Sequence, residues 1–346
     1  MSFFQMETSF IGVDIGINGI KVVELQKKDN KPALVNYGFS EDATFKGEDW
    51  ANDVVKTAGI INKICEDSGI INKNVVSALP TFAVFSSIIN IPDVPKSDID
   101  YTIEWEAKKV IPLPIEDMIL DWKKIENKED EKQKGSNYLL TGAPKILVKK
   151  QLDIFREAGL NLLSLETETF SLIRSLLGNN KSAVILIEIG AGTTDVSLIE
   201  NAIPVFSRSI DVGGDTISKT ISQHLNIGIE RAEQFKYDLG IVSMDSDDNI
   251  VPKLIINSLS AVVNEIKYVV SMYQNRNNKK AEKIVLSGGS ALLPGLAGYL
   301  SKILDMNVVI GDPWSFVSCP DDLKPMLNEI GPRMSVAVGL ALRNFK

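Results

Sequence analysis

Two short segments of the chain each place an acidic residue and glycines in a tight turn between predicted strands. The first runs from Asp14 to Lys21 with Gly16 between them, and a hairpin would bring Lys21 back beside Asp14. The second runs from Glu188 to Asp195 and contains two glycines and two hydroxyl residues: Gly190, Gly192, Thr193 and Thr194. Triphosphates need backbone N–H donors at glycine turns, a cation, and a carboxylate that can hold Mg²⁺. The two turns therefore predict a triphosphate site.

The second segment repeats the first at one constant offset along the chain. Asp14 corresponds to Glu188 at this offset. Lys21 corresponds to Asp195 at the same offset. Either turn alone is a weak signal, since a glycine-rich hairpin is usually only a turn. Two turns in register indicate duplicated α/β lobes that face one another.

A third segment, Leu286 to Leu296, reads as a strand, a double-glycine turn and a helix. Gly288 and Gly289 would let the backbone lie flat against a base and ribose, and the start of the helix would offer N–H groups to an anion. The alternative is a strand-to-helix loop with no ligand. Neither a Walker motif nor a Rossmann motif after the first strand is present in the sequence.

Composition excludes several other classes of protein. The 346-residue chain has a net charge of -8 and a pI near 5.0, which argues against nucleic acid or an anionic membrane as a partner. Cys65 and Cys319 form no Cys-x-x-Cys motif, and His224 fits a helix position without a catalytic role. No apolar run approaches the roughly 20 residues that span a bilayer. The N-terminus also lacks an export signal, so we expect a cytoplasmic protein without direct membrane insertion.

The length predicts two hydrophobic cores. Residues 81–165 change character and indicate a small inserted α/β subdomain, within which the mixed-charge run 123–134 reads as a solvated hairpin loop. The predicted division is 1–80 with 166–182 and 325–346 for the first-lobe core, 81–165 for the insertion, 183–224 with 282–324 for the second-lobe core, and 225–281 for the second-lobe subdomain. Helices are predicted at 49–68, 97–109, 146–158, 169–177, 216–224, 229–239, 251–273 and 334–343.

In this order, the two hairpins and the double-glycine turn resemble the phosphate 1, phosphate 2 and adenosine motifs of the actin-like ATPases, which include actin, sugar kinases, FtsA and MreB. The resemblance implies an α/β, two-lobed actin-like fold with duplicated ribonuclease H-like lobes, and ATP with Mg²⁺ as ligands. It implies phosphate and metal contacts from Asp14, Gly16, Asn18, Lys21, Gly190, Gly192, Thr193 and Thr194. It also implies a ribose-phosphate turn at Gly213 and Gly214, ribose and base contacts at Glu233 and Lys236, and an adenine floor at Gly288, Gly289 and Gly295.

Two positions depart from the pattern of that superfamily. Glu188 stands where the superfamily usually has Asp, and it would share Mg²⁺ with Asp14 through a water molecule. Glu168 resembles a carboxylate that polarises water in relatives such as MreB, although Thr169 replaces the proline that commonly follows. Glu168 and Glu188 are the candidate catalytic residues. The longer side chain at position 188 leads us to expect ATP binding with weak or no hydrolysis.

Within the superfamily, further segments are similar to the PilM family of type IV pilus assembly proteins. These are the stretch from Trp105 to Glu116 with its Ile-Pro-Leu-Pro-Ile-Glu end, the pair Asp121-Trp122, and Ala158-Gly159-Leu160. As local structure, the first of them is adequately explained by a helix that ends at its prolines. The family resemblance implies a scaffold in a type IV pilus or a related type II secretion-like complex of the inner membrane.

The same resemblance implies partners. A PilM-like protein is expected to hold the N-terminal cytoplasmic peptide of a PilN-like membrane protein, with the inserted subdomain forming part of the groove. It would then be cytoplasmic and associate with the inner membrane through its partners. A pilus motor ATPase, other pilus components and further copies of the chain are additional candidate partners.

Two alternatives remain open from the sequence. The first is an FtsA-like polymerising cell-division protein, which the sequence disfavours because no amphipathic membrane-targeting helix follows Arg343. The second is a small-molecule kinase of the same superfamily, in which Glu168 or Asp195 would be the base for an acceptor hydroxyl.

Overall fold

The computed structural model describes residues 9–40, 53–125, 135–241, 250–277 and 279–345. The strands within them are β1 (Ser9–Gly16), β2 (Gly19–Lys28), β3 (Lys31–Ser40), β4 (Asn74–Leu79), β5 (Phe85–Ile91), β6 (Met118–Ile125), β7 (Ser136–Pro144), β8 (Asn161–Thr167), β9 (Val184–Ile189), β10 (Thr194–Glu200), β11 (Ile203–Ile210), β12 (Lys283–Ser287) and β13 (Val308–Ile310). The α-helices are α1 (Val54–Asp67), α2 (Ile99–Val110), α3 (Lys145–Glu157), α4 (Glu168–Leu172), α5 (Gly214–Leu225), α6 (Ile229–Leu239), α7 (Ile250–Ser258), α8 (Ser260–Asn277), α9 (Leu296–Leu304) and α10 (Lys324–Ala341).

Two sheets of the same topology form the cores of two lobes. The first lobe has the strand order β3-β2-β1-β4-β8, and the second has β11-β10-β9-β12-β13. In each, an antiparallel meander of three strands is followed by strands parallel to its first member. Asp14 pairs with Lys21 in one hairpin, and Glu188 pairs with Asp195 in the other. The duplicated α/β lobes predicted from the repeated turns are therefore confirmed.

The inserted subdomain consists of a three-stranded antiparallel sheet, β5-β7-β6, covered by α2. Its core includes Ile89, Ile103 and Leu140. The helix α3 lies outside this core, because Ile154 and Phe155 pack into the first lobe beside α1. The strand β8 also pairs with β4 of the first lobe. We therefore propose that the insertion ends near residue 144 and not at residue 165. Residues 126–134 of the predicted charged loop lie outside the described residues.

Two predicted helices differ from those in the structure. The segment predicted as one helix over 251–273 is α7 and α8, which meet at Leu259 with a bend of 47°. No single helix in the described parts of the chain has the length and hydropathy of a membrane span, although α7 and α8 satisfy that test as a bent pair. Ile255 and Ile266, one from each helix, lie in the hydrophobic core of the second lobe.

The helix α10 begins ten residues before its predicted start at residue 334. Pro325 is compatible with this earlier start, because a proline in the first turn of a helix has no N–H bond to lose. Pro332 lies inside the helix, and its carbonyl accepts hydrogen bonds from the Gly288 N–H and the Ser287 hydroxyl of the second lobe. The helix therefore connects the adenosine-type turn to the first lobe.

Close backbone contacts hold α10 against the first lobe. A Cβ added at Gly12 of β1 would lie 2.0 Å from the Ala337 carbonyl oxygen, and one added at Gly339 would lie 2.0 Å from the Ser171 carbonyl oxygen. The helix α4 continues as a π-helical turn, and both pack with α10 in a core that contains residues of both sheets. Small residues at these contacts therefore determine how closely α10 packs on the first lobe.

We predict opposite effects for two glycine-to-alanine substitutions in helices. Gly339→Ala should lower the free energy of unfolding by about 1–3 kcal/mol, because the new methyl group overlaps the Ser171 backbone. Gly59→Ala in α1 should raise it by about 0.5–1 kcal/mol, because nothing lies within 4 Å of the added Cβ and alanine favours the helix. Chemical denaturation measures both, and equal shifts would contradict the close packing of α10.

Candidate functional site

The first glycine turn holds an ion pair between a half-buried lysine and a buried aspartate. Lys21 Nζ lies 3.3 Å from Asp14 Oδ2, because the two residues face each other across the β1–β2 hairpin. A Cβ at Gly16 would lie 2.9 Å from that ammonium group, so a glycine keeps the turn open to Lys21. Burial alone would lower the pKa of Lys21, but the carboxylates of Asp14 and Glu188 outweigh it and raise the pKa above its ordinary value. The side chain therefore stays a cation.

The second turn is joined directly to the start of α5. The Gly190 N–H donates to the Thr193 carbonyl at 2.9 Å, which closes the turn. The Gly214 N–H then donates to the Gly190 carbonyl, also at 2.9 Å. A Cβ at Gly213 would lie 2.4 Å from the Ala191 carbonyl oxygen. The predicted phosphate turn and the predicted ribose-phosphate turn therefore form one unit in the second lobe.

The two turns meet across the cleft between the lobes. The Asn18 side-chain amide donates to Asp215 Oδ1 at 2.7 Å. A Cβ at Gly192 would lie 2.6 Å from the side chain of Ile17, so the second turn touches the first. The other amide atom, Asn18 Oδ1, is buried and has no hydrogen-bond partner among the described residues. An unpaired buried acceptor next to two glycine turns favours a ligand that supplies a donor or a cation.

Lys236 is a buried residue of α6 in the second lobe, and its ammonium group donates hydrogen bonds to several groups. It donates to both carboxylate oxygens of Glu233, at 2.7 and 2.8 Å, to Ser218 Oγ at 3.0 Å, and to the Gly214 carbonyl at 3.2 Å. Burial lowers the pKa of Lys236, although Glu233 acts in the opposite direction. Glu233 and Lys236 therefore form a fixed pair against the Gly213-Gly214 turn.

The glycines in and after the double-glycine turn occupy positions with different structural requirements. Gly288 adopts a φ of +85°, and its N–H donates to Pro332 of α10. An added Cβ at Gly289 would meet nothing within 4 Å, so the surface above it is open. Gly295 is exposed and has a φ of +82° at the start of α9. The backbone at α9 is therefore sufficient to explain Gly295, whereas Gly288 and Gly289 lie beside the site.

Three carboxylates from both lobes converge below the turns. Among the described residues, Glu168, Glu188 and Asp195 have ligand atoms within 4.8 Å of one another. Glu168 Oε2 accepts the Thr81 N–H at 2.8 Å and lies 3.2 Å from the Thr81 hydroxyl. Ser209 donates to Asp195. We call Glu168, Glu188 and Asp195 the carboxylate cluster.

Mutual repulsion and burial perturb the titration of this cluster. Burial and then the charges of Glu188, Asp195 and Asp14 raise the pKa of Glu168 well above its ordinary value. Burial, Asp195 and Asp14 raise the pKa of Glu188 to about 8. Burial raises the pKa of Asp195 to about 6, although hydrogen bonds from Ser209 and Thr81 act in the opposite direction. Several negative charges at this place therefore require protons or a cation.

These residues fit ATP with Mg²⁺ in their chemistry. Carboxylate oxygens are the ligands that Mg²⁺ prefers, and the cluster lies beside the Asp14–Lys21 pair. A Cβ at Gly16 would collide with Lys21, and a Cβ at Gly192 would collide with Ile17 of the opposing turn, so glycine leaves space at both positions. Asn18 Oδ1 has no hydrogen-bond partner in the part of the chain that the structure describes. Thr194 differs from the other predicted contacts, because its side chain is fully buried and its hydroxyl donates to the Val212 carbonyl at 2.6 Å.

The structure adds site residues that the sequence analysis did not assign to the nucleotide. Asp215 contacts Asn18 across the cleft, and the Ser290 hydroxyl would lie 2.6 Å from a Cβ at Gly214. Asp195, considered only as a kinase base, belongs to the carboxylate cluster. Thr81 reaches the cluster from the start of the insertion. The repeat offset could have identified Asp195, whereas no local pattern distinguishes Thr81.

A cavity of about 330 Å³ adjoins the cluster. Its lining residues are Thr81, Phe82, Val84 and Ser86 of the insertion, Thr167 and Thr169 of the first lobe, and Pro204, Ser207, Arg208, Ser209 and Asp211 of the second. Most of the lining residues carry hydroxyl groups, with Phe82 half exposed at its wall. We call this cavity the hydroxyl pocket.

We predict that Glu188→Gln stabilises the metal-free protein more at pH 8 than at pH 5. The folded pKa of about 8 exceeds the ordinary value of 4.5, so the stabilising protonated form is lost as pH rises between these values. In EDTA, the melting temperature of the variant should exceed that of the wild type by at least about 2 °C at pH 8. The difference should shrink toward pH 5. Glu157→Gln, at an exposed carboxylate, should show no such trend, and a pH-independent difference for Glu188→Gln would contradict the clustered charges.

Comparisons with known proteins identify relatives that cover most of the chain. A solved PilM-PilN type IV pilus biogenesis complex is 25% identical with a TM-score of 0.85, over 98% of this chain and 99% of that chain. Cell division protein FtsA of Bacillus subtilis (strain 168) is 24% identical over 88% of this chain and 78% of its own length. MreB5 of Spiroplasma citri bound to AMPPNP has a TM-score of 0.54 at 14% identity, over 96% and 94% of the two chains, and supports the fold alone.

The predicted actin-like fold is thus confirmed by the two sheets and by these neighbours. A sequence model of the family described as type IV pilus assembly protein PilM matches residues 12–345. The match includes both glycine turns, the insertion and α10. The chain belongs to the PilM family of type IV pilus assembly proteins.

Proposed function

We propose that the chain binds ATP with Mg²⁺ between its lobes, and that this form holds the N-terminal cytoplasmic peptide of a PilN-like protein in type IV pilus assembly. The observation that carries the proposal is the contact of two glycine turns across the cleft, with an ion pair and a carboxylate cluster beside them. The similarity to a PilM-PilN complex supports the choice of partner. The chain would then act at the cytoplasmic face of the inner membrane, attached through that partner.

Both lobes would contribute to the nucleotide site. Lys21 is a half-buried cation beside the turn, so it would neutralise phosphate charge, and the open side of Gly289 would face the base. Asp14 and Glu188 would hold Mg²⁺, which neutralises charge on phosphates and carboxylates alike. Because Asn18 and Asp215 already join the turns, a ligand that contacts both lobes would favour this closed arrangement.

Binding in this site does not require fast hydrolysis. Glu168 would have to orient water through a carboxylate oxygen, yet its Oε2 atom already accepts the Thr81 N–H. We propose that turnover is weak and that the bound nucleotide acts mainly by fixing the relation between the lobes.

The hydroxyl pocket is the proposed groove for the peptide. It lies where the insertion, the first lobe and the second lobe meet, so its shape depends on all three. Hydroxyl side chains can donate to and accept from peptide backbone groups, and Phe82 offers apolar area at the wall. A volume of about 330 Å³ is at the lower end of the range for ligand pockets.

We predict that Lys21→Ala weakens binding of Mg²⁺ and ATP by about 10- to 100-fold, because a charge-assisted contact is worth about 1.5–3 kcal/mol. Isothermal titration calorimetry measures the affinity. Lys28→Ala, at an exposed position of the same strand, is the matched control and should bind as the wild type does. Circular dichroism checks that both variants fold. Equal binding by the Lys21 variant would contradict the assignment of the first turn.

We predict that a synthetic peptide with the N-terminal cytoplasmic sequence of the PilN-like protein from the same organism binds to the nucleotide-loaded chain. Phe82→Ala should weaken that binding at least about 5-fold, because the ring lines the pocket. Phe39→Ala, which removes a similarly exposed ring on β3, should leave it unchanged. Fluorescence anisotropy of a labelled peptide measures both. Equal affinity for the two variants would place the peptide elsewhere.

A further inference from the structure

A side-chain hydrogen bond joins the two glycine turns across the cleft. The Asn18 amide nitrogen donates to Asp215 Oδ1 at 2.7 Å, although the two residues are 197 positions apart in the chain. Asp215 lies in the first turn of α5, whose Gly214 N–H donates to the Gly190 carbonyl of the second glycine turn. We call the bond between Asn18 and Asp215 the cleft latch, because it links one turn to the unit that carries the other.

The chemistry of this pair determines which way the Asn18 amide faces. An ionised carboxylate only accepts hydrogen bonds, so the amide nitrogen of Asn18 must face Asp215. The amide oxygen then lies on the other side of the group. Asn18 Oδ1 is buried and has no hydrogen-bond partner within the described ranges. Closure therefore gives Asn18 one bond but removes its oxygen from water.

Two opposing effects of similar size act on the cleft latch. A hydrogen bond to a charged group is stronger than one between neutral groups, and it favours the closed arrangement. A buried acceptor without a partner costs a comparable free energy, and it favours an opening that lets water reach Oδ1. The latch is therefore weak by itself, and a ligand that offers a donor or a cation to Oδ1 would strengthen it.

Other contacts between the lobes can persist while this bond breaks. Val76 of the first sheet and Val285 of the second lie in one hydrophobic core, together with Leu340 of α10. Opening that core would expose buried apolar side chains, whereas opening the latch exchanges one hydrogen bond for bonds to water. The cleft can therefore open at the latch with the shared core as its hinge.

Resting on the proposed function, we propose that Asn18 is a positioning residue that, through Asp215, controls how fast Mg²⁺ and ATP enter and leave the cleft. The turns are in close contact beside the latch, since a Cβ at Gly192 would lie 2.6 Å from the Ile17 side chain. Opening then precedes both entry and release, so loss of the latch should accelerate both steps. Loss of a phosphate contact would accelerate release alone.

Stopped-flow fluorescence with Mg²⁺ and a mant-labelled ATP measures both rate constants. Asn18→Ala and Asp215→Ala should each raise the association and dissociation rate constants by about 5- to 20-fold. This is the loss of a charge-assisted bond, partly offset by relief of the unpaired oxygen. The double variant N18A/D215A should exchange nucleotide no faster than either single variant, because both substitutions remove the same bond. Asn90→Ala, which removes a 2.8 Å amide–amide bond to Asn137 in the insertion, is the matched control and should keep the wild-type rates.

Hydrogen–deuterium exchange of the protein without nucleotide gives a second readout. In Asn18→Ala and Asp215→Ala, backbone amides of both glycine turns should exchange about 5-fold faster than in the wild type, because the turns separate more often. A residue that only contacts phosphate would leave this exchange unchanged. Circular dichroism checks that the variants fold.

The outcomes separate this inference from the proposed function. If the wild type takes up no nucleotide, both are overturned. If it binds nucleotide and Asn18→Ala raises the dissociation rate constant alone, Asn18 is only a ligand contact, so the latch is overturned and the proposed function stands. Wild-type rates in both single variants, additive effects in N18A/D215A, or unchanged amide exchange in the turns would overturn the latch in the same way.

Discussion

The convergence of carboxylates from two lobes is the constraint on which the rest of the structure depends. Glu168 begins α4 of the first lobe, whereas Glu188 and Asp195 lie in the hairpin of the second. Their charges repel one another, and within the described residues Lys21 is the cation that lies against Asp14 beside them. A closed arrangement of the lobes is therefore costly unless protons or a cation are bound. A ligand that brings a metal ion into the cleft would therefore lower the free energy of the closed arrangement.

The surrounding fold keeps these groups at fixed positions. Identical sheet topologies place each hairpin at the same edge of its lobe. The helix α10 connects the lobes, because it packs on the first at Gly12 and Gly339 and accepts hydrogen bonds from the second at Pro332. The Asn18–Asp215 bond joins the turns directly. The insertion enters this arrangement at Thr81, so its orientation is tied to the cluster and not only to its own hydrophobic core.

Local sequence patterns predicted much of the fold because the informative residues are close together in the chain. The spacing of Asp14 and Lys21 determines a hairpin, and its repeat at Glu188 indicates the second lobe. The helix α10 was predicted too short, since Gly331 and Pro332 normally end helices and only tertiary packing keeps them helical. The shorter insertion that we propose has no local sequence signal, because α3 joins the first lobe through packing of Ile154 and Phe155.

The candidate site was predictable only where a motif exists. The glycines, Asp14 and Lys21 follow from turn chemistry, although their contact with nucleotide stays a prediction. Thr194 fitted the same pattern, yet its hydroxyl is engaged by Val212, a contact that depends on how two loops pack. The Thr81–Glu168 bond joins residues far apart in sequence, and nothing in either local segment indicates it.

If Mg²⁺ and nucleotide bind as we propose, the carboxylate cluster must exchange protons for a cation. Calorimetric titration of the protein with Mg²⁺ and ATP at pH 7, repeated in buffers of different ionisation enthalpy, counts the protons released. Because the pKa values of Glu168 and Glu188 are raised in the absence of metal, we expect net proton release that Glu188→Gln reduces. Binding without proton release, or nucleotide uptake that does not depend on Mg²⁺, would contradict it.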